Sequence, residues 1–272
     1  MNIAQPHPRF DRAAEDVGNI VELGHVNTRV PDQQLATLFY VAGLGLTRDP
    51  YHMVGLDNMW VNAGASQFHL PAGAPQVLRG VTGLVMPDLG RLAERLEAVR
   101  PRLEGTEFNV ALEGEAIEVT SPWGNRIRCH APDERRFGPV SLGMPYVEVE
   151  VMPGTTPGIA RFYREIFGLG AAEEPGSAII PVGAWQRLIY REIPEPPPPY
   201  DGHHIQITLA DFSGPHARLR ERGLISEESN QSQYRFEAII DPGSGMELAR
   251  IEHEVRSMRH SMYGRALVNR PL

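Results

Sequence analysis

The sequence contains a single cysteine, Cys129, and this scarcity sets the first limit on the protein. One cysteine cannot form a disulfide within the chain, and few cysteines are typical of proteins in a reducing compartment. Blocks of basic residues are also missing, and the formal net charge is −8. We therefore expect no nucleic-acid partner, because binding to phosphates requires a positively charged surface.

Long apolar runs are missing as well. No stretch approaches the roughly 18 apolar residues that a membrane-spanning helix needs. The first residues, Met-Asn-Ile-Ala-Gln-Pro-His-Pro, contain no basic region followed by an apolar segment, so we expect no secretion signal. These absences predict a cytoplasmic protein without a membrane segment. Its 272 residues, 42% of them hydrophobic, are enough to bury the core of one or two domains.

Short motifs recur in the same order along the chain, at a spacing of about 120 residues. Phe39-Tyr40 recurs as Phe162-Tyr163, and Gly45-Leu46 recurs as Gly168-Leu169. In both copies the glycine follows an amphipathic helix. One such match could arise by chance, but an ordered series of matches indicates an internal duplication.

Each copy divides further into two units that consist of a strand, a helix and three strands. The opening strands of the four units are predicted from Ile20, at Val81–Met86, at Tyr146–Val151 and at His204–Leu209. Apolar and polar residues alternate regularly in His204–Leu209. In the first of these strands the alternation changes phase at Gly24. This change indicates a bulge and leaves the direction of the next side chain, His25, open. The predicted fold class is α+β, with four tandem βαβββ units.

The units and the segments between them predict five parts of the chain: an N-terminal arm (1–19), a first domain of two units (20–132), a linker (133–144), a second domain of two units (145–254) and a C-terminal tail (255–272). The linker contains proline and charged residues, which are typical of a domain boundary. The tail is basic, and we expect it to pack across a domain face or against a partner subunit.

This arrangement resembles the vicinal oxygen chelate superfamily, which includes glyoxalase I, bleomycin-resistance proteins and type I extradiol dioxygenases. The resemblance covers residues 20–254 and depends on the recurring Phe-Tyr and Gly-Leu pairs, the helix entries Met86–Asp88 and Leu209–Asp211, and the closing turns at 121–125 and 241–245. It implies two half-open domains of strongly curved sheet, each formed by two units. It also implies that a divalent metal is bound in such a cavity by residues of the first and last strands.

In the second half, the resemblance implies three metal ligands: His204, Glu148 and Glu247. His204 occupies the position of a histidine ligand in the superfamily. Tyr146 lies two residues before Glu148, so both side chains point to the same face of the strand. Tyr146 is the alternative to Glu148 and would act as a catalytic hydrogen-bond donor. Tyr190 is a second candidate for that catalytic role, and Glu252 is the alternative to Glu247.

The first half departs further from the superfamily pattern. His25 lies where a first-strand ligand is expected, but Val81 and Arg128 replace two other ligands. Because guanidinium is a fixed cation that binds oxyanions in a bidentate manner, Arg128 favours a substrate carboxylate or phosphate. The candidates for a second site or for substrate contacts are His25, Gln67, His69, Arg128 and His130. A rearranged metal site of His25, His69 and His130 is one alternative, and a scaffold without metal is the other.

Two functions follow from the resemblance. One is a divalent-metal-dependent enzyme, extradiol-dioxygenase-like, that acts on a small catechol-like or 1,2-dicarbonyl-like molecule. The expected metal is Fe(II) or Mn(II), with Zn or Ni as alternatives. The other is a metal-free protein that binds a small ligand, as bleomycin-resistance proteins do. In both cases the expected partner is a small molecule, and a homodimer is the expected assembly.

Overall fold

A computed structural model describes residues 10–52, 55 and 57–271. Residues 1–9 of the predicted arm lie outside the described residues. A strand that the sequence pattern predicts near Tyr51–Val54 lies partly outside them, at Met53 and Val54, and its described residues are not in a strand. Among the described residues, no helix is both long enough and apolar enough to cross a membrane.

The four predicted units are present, and each consists of a strand, a helix and three strands. Unit 1 contains β1 (Ile20–Asn27), α1 (Gln33–Ala36) continued by a π-helical segment (Thr37–Gly43), β2 (Thr47–Arg48), β3 (Asn58–Ala63) and β4 (Ser66–Pro71). Unit 2 contains β5 (Gly80–Val85), α2 (Leu89–Val99), β6 (Asn109–Glu113), β7 (Ala116–Thr120) and β8 (Arg126–His130). The α+β class and the tandem βαβββ arrangement are therefore confirmed.

The second half repeats this order. Unit 3 contains β9 (Gly143–Val151), α4 (Thr156–Phe162) continued by a π-helical segment (Tyr163–Phe167), β10 (Ala172–Glu174), β11 (Ser177–Val182) and β12 (Gln186–Glu192). Unit 4 contains β13 (His204–Leu209), α5 (Ser213–Glu221), β14 (Ile225–Asn230), β15 (Gln233–Ile240) and β16 (Glu247–Ser257). The predicted linker holds a short helix, α3 (Glu134–Phe137), and single 3-10 turns lie at Ala13–Glu15 and Arg100–Arg102.

The strands form two eight-stranded sheets, and their pairing differs from the expected one. In the first sheet the order is β14-β15-β16-β13-β1-β4-β3-β2, and in the second it is β10-β11-β12-β9-β5-β8-β7-β6. Unit 1 thus pairs with unit 4, and unit 2 pairs with unit 3. The prediction that each half of the chain pairs its own two units was wrong, because the local pattern that identifies an opening strand does not specify its partner.

Two connections between the sheets are held together by Gln76, which is buried. Its side chain donates to the carbonyl of Asp201 at 2.8 Å and accepts from the backbone N–H of Arg29 at 3.0 Å. The Asp201 carboxylate in turn accepts from the backbone N–H of Val77 at 2.7 Å. These bonds fix the segment that leaves β4 against the segment that enters β13. Each segment crosses between the sheets at this place, which is why units 1 and 2 lie in different sheets, and units 3 and 4 do as well.

The recurring Phe-Tyr pairs lie in the core between the two sheets. Both pairs fall on helices α1 and α4 or their π-helical continuations, and all four side chains are buried. Helix α4 contacts β11 and β12 of the second sheet as well as β15 and β16 of the first. The Tyr163 hydroxyl is hydrogen-bonded to Tyr190 on β12 at 2.7 Å and to His253 on β16 at 2.6 Å. One hydrophobic cluster therefore joins the sheets, and the duplicated motif is a packing motif.

The substitution Gly80→Ala tests the pairing of units 2 and 3. Gly80 has a φ of 150°, and an added Cβ would lie 1.8 Å from the carbonyl oxygen of Glu148 on β9. Because the backbone of a central strand cannot move aside, we expect the free energy of unfolding to fall by about 3 kcal/mol in urea denaturation. Gly105→Ala is the matched control, since Gly105 has a φ of 79° and open space around it, and should cost only about 1 kcal/mol. Equal losses in the two variants would contradict the pairing.

Candidate metal centre

Two histidines face each other at the centre of the first sheet. His25 on β1 and His204 on β13 are both buried, and their Nε2 atoms lie 3.5 Å apart. The antiparallel register pairs His25 with Gln206 and Asn27 with His204, so all four side chains lie on the same face of the sheet. A register shift between Leu23 and His25 confirms the predicted bulge at Gly24. The bulge sets the direction of His25 that the sequence left open.

Glu254 on β16 is the third group that converges on this point. It is buried, and its Oε2 atom lies 3.5 Å from Nε2 of His204. The opposite ring nitrogen of His204, Nδ1, lies 3.2 Å from the carboxylate of Glu252. Because an ionised carboxylate only accepts, this contact places the proton of a neutral His204 ring on Nδ1. Nε2 then presents a lone pair to His25 and Glu254, an arrangement known for metal-bound histidines.

The spacing of these three atoms fits a metal ion. A distance of 3.5 Å is long for a hydrogen bond between ring nitrogens. Two donors that share one metal lie roughly 3.0–3.4 Å apart, since each metal–nitrogen bond measures about 2.1 Å. Burial lowers the pKa of His25 well below its ordinary value, so its ring is neutral, which is the state that binds a metal. Two histidines and a carboxylate leave coordination positions open for other ligands.

His69 on β4 is a fourth potential donor. One nitrogen from each of His25, His69 and His204 lies within 4.8 Å of the others. The His69 ring stacks on Trp60, with ring centroids 3.8 Å apart, and it is hydrogen-bonded to Asn27 at 2.7 Å and to Asn58 at 2.6 Å. Burial lowers the pKa of His69 to about 3, so this ring is also neutral.

Two arginines surround the glutamates of this site. Arg235 contacts both Glu252 and Glu254, and Arg256 lies 2.6 Å from Oε1 of Glu254. Burial raises the pKa of the Glu254 carboxyl, but the polar contact with His204 and the neighbouring positive charges of Arg256 and Arg235 outweigh this and hold the pKa far below its usual range. Glu254 is therefore ionised, and its charge is largely balanced before any cation arrives.

The second sheet has the same central register but different side chains. Strands β5 and β9 pair in the second sheet as β1 and β13 do in the first. Val81–Glu148 corresponds to His25–Gln206, and Gly83–Tyr146 corresponds to Asn27–His204. The flanking strands β8 and β12 match β4 and β16 in the same way. By this register, the positions of His25, His204, His69 and Glu254 correspond to Val81, Tyr146, Arg128 and Ile189. The second sheet therefore lacks the donor set of the first.

The predicted ligand set of His204, Glu148 and Glu247 is not brought together, because Glu148 lies in the other sheet and the residue of β16 that pairs with His204 is Glu252. Glu148 lies in the second sheet, where it forms an ion pair with Arg191 at 2.9 Å. Glu247 is exposed at the start of β16 and forms an ion pair with Arg250 at 2.5 Å. Tyr190, predicted as a catalytic donor, lies in the core, where burial raises its pKa.

The remaining sequence candidates divide between the two sheets. His25, Gln67 and His69 lie together in the first sheet, and Gln67 donates to Asp49 at 2.9 Å and to Asn62 at 2.7 Å. Tyr146, Arg128 and His130 lie in the second sheet, where the Nε2 atom of His130 is 2.8 Å from the Tyr146 hydroxyl. The alternative metal site of His25, His69 and His130 is therefore not assembled.

Glu254 was missed by the sequence interpretation. The last-strand ligand was predicted at Glu247 or Glu252, near the turn that ends at residue 245, but the pairing of β15 with β16 contains two register shifts that change the position reached from that turn. The alternation of Glu252 and Glu254 with His253, in a strand that ends at Ser257, is the signal that could have identified it.

The C-terminal tail crosses the cavity in front of these residues. Arg265 forms an ion pair with the buried Asp49 at 2.5 Å, and the side chain of Asn269 is hydrogen-bonded to both backbone groups of Gly64. Only about 20 Å³ remains open between the tail and the sheet. The prediction that the tail packs across a domain face agrees with these contacts.

Two solved structures are similar to this chain in fold. Glyoxalase I from Zea mays superposes with a TM-score of 0.56 at 14% sequence identity, over 87% of this chain and 92% of the maize chain. A Bacillus subtilis protein provisionally assigned as a dioxygenase superposes with a TM-score of 0.55 at 14% identity, over 90% of this chain and 87% of the other. The chain therefore has a glyoxalase-type fold. No family model matches the sequence, and no curated protein is similar to it.

The substitution Arg265→Ala tests how the tail is held. Removal of the guanidinium leaves the Asp49 carboxylate buried without its ion pair, so the bound tail loses stability relative to the released one. We expect faster cleavage by chymotrypsin after Tyr263, followed by mass spectrometry under native conditions. Arg259→Ala is the control, because the exposed Arg259 side chain makes no contact of this kind. An unchanged cleavage rate in Arg265→Ala would show that other contacts hold the tail.

Proposed function

We propose that the first sheet binds one divalent metal ion through His25, His204 and Glu254, and that the protein is a metal-dependent enzyme. The substrate class is a small molecule that chelates the metal through two adjacent oxygen atoms. The observation that carries the proposal is the convergence of three potential donor atoms in a buried site: Nε2 of His204 lies 3.5 Å from Nε2 of His25 and 3.5 Å from Oε2 of Glu254.

The donor set favours Fe(II) or Mn(II), because two histidines and one carboxylate on one face are typical of non-haem iron oxygenases. Zn or Ni remain alternatives for a glyoxalase-like reaction. A bound metal of this kind would supply a Lewis acid that polarises the substrate oxygens, and Fe(II) or Mn(II) would also allow dioxygen chemistry. The fold supports both reaction types, since it does not by itself specify a substrate.

The residues around the donors have definite tasks in this proposal. Glu252 keeps the proton of His204 on Nδ1, and Asn27 and Asn58 fix the orientation of the His69 ring. His69 lies next to the open coordination positions, where it can serve as a fourth ligand or contact a bound substrate. Trp60 covers the His69 ring and excludes water from that side. A substrate must displace the tail, because little open space remains.

The metal content of purified protein without a histidine tag tests the site. We expect one metal per chain by mass spectrometry in the wild type, and its loss in His204→Ala, because one of three ligands is removed. Glu252→Gln should weaken metal binding by about 10–100-fold, since it removes a group that orients a ligand. His216→Ala is the control, because His216 pairs with Glu228 at the surface. Metal retained by His204→Ala would contradict the assignment.

A metal-free ligand-binding protein is the second candidate function. The observation in its favour is that Arg235 and Arg256 already neutralise Glu254, which reduces the attraction of the site for a cation. A wild-type protein that holds no metal after reconstitution with Fe(II), Mn(II), Zn or Ni would support this function. Dioxygen uptake in the presence of catechol would support the enzyme. A homodimer remains a prediction for either function.

A further inference from the structure

The second sheet has its own cavity, at the place that corresponds to the metal centre of the first. It has a volume of about 130 Å³ and lies over the strands β8, β9 and β12. Its polar lining side chains are Arg128, Arg136, Tyr146, Glu148, Arg187 and Arg191. A cavity of this size suits a small molecule. Because the donor positions are occupied here by Val81, Tyr146, Arg128 and Ile189, its chemistry must differ from that of the first cavity.

The charge of the cavity is strongly positive in a chain whose net charge is −8. Its lining contains four guanidinium groups and a single carboxylate, that of Glu148, which Arg191 already engages. Within the described ranges, no carboxylate lies within ion-pair distance of Arg136 or Arg187. The Arg136 guanidinium lies over the ring of Phe137, and neither it nor that of Arg187 is paired with a carboxylate in those ranges. Two cations thus border a concave site, an arrangement that binds an oxyanion.

Arg128 and Tyr146 give the cavity a fixed floor. Arg128 is held by Glu118 at 2.8 Å and Glu113 at 3.1 Å. The Tyr146 ring lies over Gly83, where even a Cβ would approach the ring to 2.4 Å, and its hydroxyl is fixed by His130. Burial raises the pKa of Tyr146, so the hydroxyl stays protonated and can donate a hydrogen bond.

The walls of the cavity are apolar and partly flat. Trp185 packs directly on Gly138, which has a φ of 70° and leaves room for the indole ring. Phe137 and Ile189 complete the apolar lining. Trp185 is half exposed, so part of a large aromatic face is available to a ligand.

We propose that this second cavity binds a small organic carboxylate with a flat apolar body, and that it does so independently of the metal centre. The unpaired guanidinium groups of Arg136 and Arg187 bind the carboxylate. The body of the ligand lies against Trp185 and Phe137. A benzoate ion has both parts and serves as the probe.

Calorimetric titration with benzoate, followed in parallel by the fluorescence of Trp185, tests the proposal. We expect saturable binding that weakens roughly tenfold in Arg187→Gln and again in the double variant with Arg136→Gln, because each guanidinium contributes a charge-assisted contact. Both residues are exposed, so these variants should fold. Arg220→Gln is the control, since Arg220 is an exposed arginine on α5, outside the second sheet and its cavity. His204→Ala, which removes the proposed metal ligand, should bind benzoate as the wild type does.

Three outcomes would overturn the proposal. The first is the absence of saturable benzoate binding. The second is binding of inorganic phosphate without binding of benzoate, which would mean that the cavity takes an anion but not an organic carboxylate. The third is benzoate binding that persists unchanged in the double arginine variant or disappears in His204→Ala. Loss of fluorescence response in Trp185→Phe, with calorimetric binding retained, would support the placement of the ligand beside Trp185.

Discussion

The antiparallel pairing of β1 with β13 is the constraint on which the candidate centre depends. It brings together residues 179 positions apart and places His25 opposite His204 at 3.5 Å. A shift of one residue would turn one of these side chains into the core, because neighbouring side chains of a strand point to opposite faces. The bulge at Gly24 changes the phase of the alternation, and His25 then points to the same face of the sheet as His204. The outer strands β4 and β16 then add His69 and Glu254 by their parallel registers.

The same pairing places buried carboxylates and guanidinium groups around the centre, and their opposite charges must balance. Glu252 and Glu254 are matched by Arg235 and Arg256, and His204 connects the two carboxylates through its ring nitrogens. A buried charged group without a partner costs several kcal/mol, so such a network stabilises the sheet only when it is complete. Among the described residues, the second sheet has no such network of glutamates and histidines at the corresponding place. Its cavity is lined by guanidinium groups and by the neutral phenol of Tyr146. One duplicated scaffold therefore presents two unlike chemical surfaces.

The sequence was sufficient to predict the four units and the fold class, and it named His25, Gln67, His69 and His204 as candidates, but it assigned His204 to a different site from the other three. These predictions depend on local alternation and on repeated motifs, which a single chain displays directly. It was not sufficient to predict which units share a sheet, because the local pattern of a strand does not specify its partner. The error at Glu148 follows from that pairing, and the choice of Glu247 and the missed Glu254 follow from the register shifts beside β16. Long-range pairing and bulges are properties of the assembled sheet and not of any local segment.

The joining of the first and last units has a consequence for synthesis of the protein. A ribosome completes β1 before units 2 and 3, but β13 and β16, the strands that complete its sheet, emerge only after those two units. Until then, the β1 edge that later pairs with β13 exposes unpaired backbone groups, a state that favours aggregation. Pairing across such a separation is intrinsically slow, because a long loop must close before contacts form. The second sheet, made from the middle of the chain, is complete earlier and can serve as the template on which the first sheet assembles.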